Sequence, residues 1–156
     1  MQSGGTVQSR RPLAPARSDG TLSARLRPQH EPTGGPGSPP AVDVLVVDDE
    51  DSVRSSICEI LDTAGLTTGE ASDGEHALQE LSHRRVGAMV VDVRMPRLDG
   101  ITMLQRLSHP PPTILVSAYV IDDEDRERLS GKVLAYLQKP FRPQELLRLV
   151  SDALGR

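Results

Sequence analysis

Val90-Val91-Asp92-Val93-Arg94-Met95-Pro96-Arg97-Leu98-Asp99-Gly100 decides how the rest of this chain reads. Ala88 and Met89 precede it, so an apolar run stops at a single carboxylate, Asp92. Met95-Pro96 cannot continue a strand, because proline lacks the N–H that a sheet ladder needs. Asp99-Gly100 then turns the chain toward a helix. A buried strand ending in a carboxylate and a rigid turn presents a reactive group at the ligand-binding edge of an open α/β sheet. Many strands end in Asp, so the stretch gains weight from its companions. Three other apolar runs also stop at polar groups: Asp48-Asp49 closes the first, Ser117 another and Lys139 the last.

Outward from there, strand and helix patterns alternate. Residues 42–47 are almost continuously β-branched or aliphatic, the pattern of a strand buried on both faces. A helix capped by Asp51 or Ser52 is expected to run to about Ala64. Val53, Ile57, Ile60, Leu61 and Ala64 would face inward, with Gly65 just past the end. Residues 66–71 read as a short polar strand suited to a sheet edge, and residues 75–82 as a helix with Ala77, Leu78 and Leu81 inward. Strands over 86–92, 113–117 and 133–139 follow in turn, with helices over 100–107, 122–130 and 143–154. Pro143 sits in the first turn of the last helix, where its missing N–H costs nothing. Crossovers too long for hairpins predict a doubly wound α/β fold, a five-stranded parallel sheet with helices on both faces.

The 156 residues suit one domain of ordinary size. Residues 1–40 hold seven Pro and six Gly, with five Arg against Asp19 and Glu31, and almost nothing to bury. That is the composition of a disordered tail, and the change at Ala41 marks the start of a domain over residues 41–156. Met89 is the first methionine after Met1, so translation is expected to start at another codon nearer the domain. The pattern leaves no room for a second domain after the fifth helix. The formal net charge of −4 divides into +3 for residues 1–40 and −7 for the remainder, which argues against direct nucleic-acid binding. No apolar run reaches the roughly 18 residues that a membrane helix needs. A single cysteine, Cys58, excludes an internal disulfide and fits a reducing, cytoplasmic setting.

In a parallel sheet every strand points the same way, so Asp48, Asp49, Asp92, Ser117 and Lys139 emerge together at the carboxyl edge. Three clustered carboxylates raise one another's pKa unless a cation neutralises them. Hard oxygen ligands of this kind suit Mg²⁺. Lys139 can hold a phosphoryl oxygen as a point charge, and Ser117 can donate a hydrogen bond to another. An Asp nucleophile, a divalent ion, a cation and a hydroxyl are the parts required for phosphoryl transfer to a carboxylate. Taken singly, each has a plainer reading. Asp48-Asp49 could be acid at a helix N-terminus, Asp99-Gly100 a turn and cap, Tyr136 a core aromatic and Lys139 a solvated strand end. Residues 122–128 read as a solvated helix face. Cys58, His76, His83 and His109 share no ligand spacing.

Four pieces in order give the chain a likeness: Val46-Val47-Asp48-Asp49-Glu50, the segment from Val91-Asp92 to Asp99-Gly100, Leu115-Val116-Ser117-Ala118, and Tyr136-Leu137-Gln138-Lys139-Pro140-Phe141. Residues 41–156 thereby resemble the receiver domain of bacterial two-component response regulators. The resemblance implies a flavodoxin-like strand order, 2-1-3-4-5, and Asp92 as the acceptor of phosphate from a histidine kinase or phosphotransfer protein. It implies Mg²⁺ held by Asp49, Asp92 and the main-chain carbonyl of Arg94, with Asp48 acting through water. Lys139 and Ser117 would contact the phosphoryl group. Ser117 would move toward that group as Tyr136 rotates inward. Arg94 and Tyr119 would overhang it and modulate hydrolysis, and the Lys139–Pro140 peptide would be cis. By the same resemblance this is a stand-alone response regulator and not an enzyme with a separate substrate. It would take phosphate on its own Asp and hydrolyse it slowly. It would signal by docking to an unknown protein target, carry phosphate in a relay or drain it from another regulator, with neither nucleic acid nor membrane as partner.

Two other readings remain. A phosphatase of the haloacid-dehalogenase type needs a second carboxylate two residues after its nucleophile, to protonate the leaving group. Arg94 stands at that position after Asp92. Glu50 stands there after Asp48, but Ser52 follows where that family has Thr or Val. A phosphorylation-independent scaffold would share the fold, although here every acid, hydroxyl and Lys position is filled. One segment departs from the receiver pattern. In residues 122–128 the usual small apolar residues give way to charge, and Leu129 is the clear anchor. This predicts a short, loosely docked fourth helix whose acidic surface favours a basic partner over pairing with its own kind.

Overall fold

The computed structural model describes residues 41–156; the expected disordered tail over residues 1–40 lies outside the described residues. Ten elements alternate along the chain: β1 (Ala41–Val47), α1 (Asp51–Thr63), β2 (Thr68–Ala71), α2 (Gly74–His83), β3 (Arg85–Asp92), α3 (Gly100–Arg106), β4 (Thr113–Ser117), α4 (Asp123–Arg128), β5 (Ala135–Gln138) and α5 (Pro143–Ala153). The strands form one sheet in the order β2-β1-β3-β4-β5, and every pair in it is parallel.

Alternation along the strands divides the core into two layers, because successive side chains leave a sheet on opposite faces. Val44 and Val46 pack with Ile57, Cys58 and Leu61 of α1 and with Leu146 and Val150 of α5. Leu45 and Val47 pack with Ala77 of α2, with Met103 and Leu104 of α3, and with Leu129. Helices α1 and α5 therefore cover one face and α2 and α3 the other, which is why β1 reads as unbroken hydrophobicity. Each fully buried aliphatic side chain contributes about 1.5–3 kcal/mol.

The differences from the sequence pattern lie at element ends. The N-cap of α1 is Glu50, one residue before Asp51. Ala64, read as an inner-face residue, is the exposed C-cap. Gly65 follows at φ 82°, the left-handed conformation in which helices commonly stop. Cys58, which the pattern left out, is buried in its place. β2 begins at Thr68 because Leu66 still closes the helix, its N–H donating to the Leu61 carbonyl (3.1 Å). β2 and β5 are the edge strands.

Helix α4 is short, as its charge pattern predicts. None of its six residues is buried, and Asp122 caps it by accepting the Asp125 N–H (2.8 Å). Leu129 just after it and Ile121 just before it are both buried, so α4 is fastened by buried side chains at both ends and buries none between them. Acid in a first turn contributes about 0.3–1 kcal/mol per charge, less than one buried aliphatic. Hydrogen exchange should accordingly show the amides of residues 120–132 opening before those of α1. Equal protection of the two segments would contradict this.

Candidate functional site

The site is a product of register. Val47 pairs with Val91, Asp92 with Val116, and Ser117 with Gln138. One residue beyond β1 and β5 therefore lie Asp48 and Lys139, level with Asp92 and Ser117 at the carboxyl edge. Asp48, Asp49 and Asp92 each bring a carboxylate oxygen within 4.8 Å of the others. The Lys139 ammonium lies 3.2 Å from Asp48 Oδ2 and 3.2 Å from Asp92 Oδ1. The structure thus brings together the residues that the strand ends singled out, and the Lys139–Pro140 peptide beside them is cis.

The three carboxylates are not equivalent. Asp48 is buried (2% exposed) and Asp49 is exposed. Both Asp48 oxygens are already engaged, Oδ1 by the Glu50 N–H (2.9 Å) and Oδ2 by Lys139. Burial pushes the Asp92 carboxyl up from its ordinary value; Asp48 and Asp49 add to that, and Lys139 pulls against it. Burial also works against the Lys139 charge, but Asp92 and Asp48 outweigh it and hold its pKa above the ordinary value. With three acids against one Lys, the hard oxygen donors fit a divalent cation such as Mg²⁺.

A carboxyl whose pKa rises on folding stabilises the fold while protonated, and that benefit is lost as pH climbs through the folded value. At pH 7 the ionised Asp92 is therefore a cost. Asp92→Asn should melt higher than wild type at pH 7 in EDTA, and the gap should close toward about pH 4, near the ordinary carboxylate value. Thermal melts across that range check this; a variant melting lower at pH 7 would contradict it.

Around the cluster, an open cleft is lined by Asp49, Arg94, Met95, Pro96 and Asp99. Asp99 caps α3, accepting from the Thr102 N–H (2.8 Å) and hydroxyl (3.0 Å), so its role is the turn and cap. The Ser117 oxygen accepts the Tyr119 N–H (3.0 Å), which leaves its own proton to donate. Arg94 and Tyr119 meet one another, the guanidinium carbon 4.8 Å from the ring centre. Tyr136 is half-buried against the α2 and α3 layer, with the Arg126 guanidinium 4.5 Å from its ring centre. A Cβ at Gly100 would overlap the Asp92 carbonyl oxygen, so the turn after β3 requires that glycine.

Sequence reasoning missed three supporting residues. Arg54 donates to the Asp48 carbonyl (2.8 Å), to Glu70 (2.9 Å) and to Asp51 (2.6 Å), tying α1 to the ends of β1 and β2. Its i,i+3 spacing from Asp51 was the available signal. Asp73 and Arg97 form an ion pair between the start of α2 and the loop after β3. No local periodicity announces that pair.

A family model for the response regulator receiver domain matches residues 44–151. Response regulator MprA of Mycobacterium ulcerans (strain Agy99) is 36% identical over 119 residues, 74% of this chain and 51% of that protein. The chain spans about half the length of the curated relatives it matches. Among solved structures, the receiver domain of Francisella response regulator 1452 is 32% identical with a TM-score of 0.68, covering 74% of this chain and 98% of that one. The receiver domain of NtrX from Brucella abortus is 28% identical with a TM-score of 0.65, covering 72% of this chain and 98% of that one.

Proposed function

The chain belongs to the response regulator receiver domain family, and from that premise we propose that Asp92 accepts a phosphoryl group from a histidine kinase or phosphotransfer protein. The observation that carries this is the Asp48, Asp49 and Asp92 cluster with Lys139 set between two of its members. Asp49, Asp92 and the Arg94 carbonyl would hold Mg²⁺. Asp48, with both oxygens engaged, would act on it through water. When bound, the ion neutralises the crowded carboxylates and the incoming phosphoryl oxygens.

The chain's own groups do the rest. An Asp92 carboxylate oxygen forms the new bond to phosphorus as the donor's bond to phosphorus breaks. Lys139, kept protonated by its acidic neighbours, holds one phosphoryl oxygen, and the Ser117 hydroxyl donates to another. Ser117 and Tyr136 form the switch, and Arg94 with Tyr119 covers the phosphoryl group and sets its lifetime. No separate substrate is turned over. The signal passes by docking to a protein target in the cytoplasm, without nucleic acid or membrane. The net charge of −7 over residues 41–156 supports a partner other than nucleic acid. That the receiver works as a stand-alone protein is part of the same proposal, tested by the intact mass of the protein from its native cell.

Intact mass after incubation with acetyl phosphate, with and without Mg²⁺, separates the readings. One persistent phosphoryl group per chain, gained only with Mg²⁺, is the expected result. Turnover of an added phosphoester would indicate a phosphatase, and no phosphate uptake would indicate a scaffold.

A further inference from the structure

The loop between β3 and α3 must present a main-chain carbonyl, so what holds that loop matters as much as the carboxylates do. Its ends are well held. The Val93 N–H donates to the Val116 carbonyl (3.0 Å), and the Gly100 N–H donates to the Val93 carbonyl (2.9 Å). Leu98 is buried and packs so closely on α2 that a Cβ at Gly74 would lie 2.7 Å from the Leu98 carbonyl oxygen. The middle is held differently. Arg94 stacks on Tyr119, a residue that is itself 62% exposed and offers no firm support.

Arg97 stands out in this stretch. Among the described residues it is the non-glycine with positive φ, at 65°. That conformation is disfavoured for a residue with a Cβ and persists where surrounding structure over-determines it. The Arg97 guanidinium donates to Asp73 Oδ2, and the Asp73 side chain is 7% exposed. Asp73 is in turn fixed, because its Oδ1 caps α2 by accepting the His76 N–H (2.9 Å). That hydrogen bond, helped by Arg97 and opposed by burial, keeps the Asp73 carboxyl below its usual range. A charged post at the start of α2 thus grips the loop from outside the site.

We propose that Arg97, through its ion pair with Asp73, is a positioning residue that holds the loop so that the Arg94 carbonyl can meet the metal ion. The inference rests on the metal-site reading above. Partners one step removed from a metal ligand commonly matter about tenfold or more in affinity, although they touch neither ion nor substrate.

Calorimetric titration of the full chain with Mg²⁺, after stripping with EDTA, tests this. Arg97→Gly suits the left-handed backbone and removes the whole side chain, guanidinium included. It should weaken Mg²⁺ binding about tenfold while the apo melting temperature stays near wild type. The Mg²⁺ concentration for half-maximal phosphorylation should rise equally, with the rate at saturating Mg²⁺ unchanged. Asp73→Asn keeps the cap acceptor and loses the charge; it should weaken Mg²⁺ binding to a similar extent, and the double variant should bind Mg²⁺ no worse than either single one. Wild-type Mg²⁺ affinity in Arg97→Gly, while Asp49→Asn loses binding, would overturn the positioning role and leave the site intact. An affinity loss matched by an equal loss of apo stability would assign Arg97 to the fold and also overturn it. If Asp49→Asn binds Mg²⁺ like wild type, the site reading falls and this inference falls with it.

Discussion

Asp92→Asn, incubated with acetyl phosphate and Mg²⁺ under conditions that phosphorylate the wild type, should gain no phosphoryl group, a loss of at least about a thousandfold in initial rate. The amide matches the carboxylate in shape but is neutral and a poor nucleophile. Neither neighbour can replace it easily. Asp48 is buried with both oxygens engaged, and Asp49 lies outside the Lys139 contacts that Asp48 and Asp92 share. The same variant should fold at least as well as wild type in EDTA, since Asp92 is held against its charge. Loss of phosphorylation with retained stability therefore isolates the chemistry. Uptake near the wild-type rate would move the acceptor to another carboxylate.

Gly100→Ala should be the most damaging single methyl in the turn. The added Cβ would overlap the Asp92 carbonyl oxygen and lie 3.0 Å from Val91 Cγ1. Neither neighbour can give way cheaply, because Val91 and Asp92 are paired within the sheet. We expect a loss of about 3 kcal/mol in urea denaturation, the upper part of the usual overpacking range, and a melting temperature lower by on the order of 10 °C. Gly65→Ala makes the contrast. No atom lies within 4 Å of a Cβ there, and only the φ of 82° is wrong for alanine, so the cost should be about 1–2 kcal/mol. Equal effects at the two positions would show that backbone overlap is not the cause.

What the sequence disclosed follows from which interactions have a period. A strand buried on both faces must be apolar throughout, so β1 and β3 stand out, and their polar terminators Asp48 and Asp92 stand out with them. Parallel order then places Ser117 and Lys139 at the same edge. The ion pair of Asp73 with Arg97 spans 24 positions and the bond of Arg54 to Glu70 spans 16; such contacts obey no spacing rule and come from tertiary packing alone. Ala64 misled because an apolar residue at helical spacing still lies outside if the helix stops before it. Ile121 gives no such warning, because a single apolar residue beside a charged run carries no periodic signal, yet it is buried and anchors one end of α4.

That way of fastening α4 separates two demands that usually compete. Ile121 and Leu129 hold the segment to the core, while Asp123, Glu124 and Glu127 on the helix between them are exposed. Substitutions at such positions usually change stability by no more than about 0.5 kcal/mol. The charge that α4 shows at these three positions can therefore be rewritten almost without consequence for folding. A receiver built this way can acquire a new partner, or lose an old one, by drift across a helix on which its core does not depend.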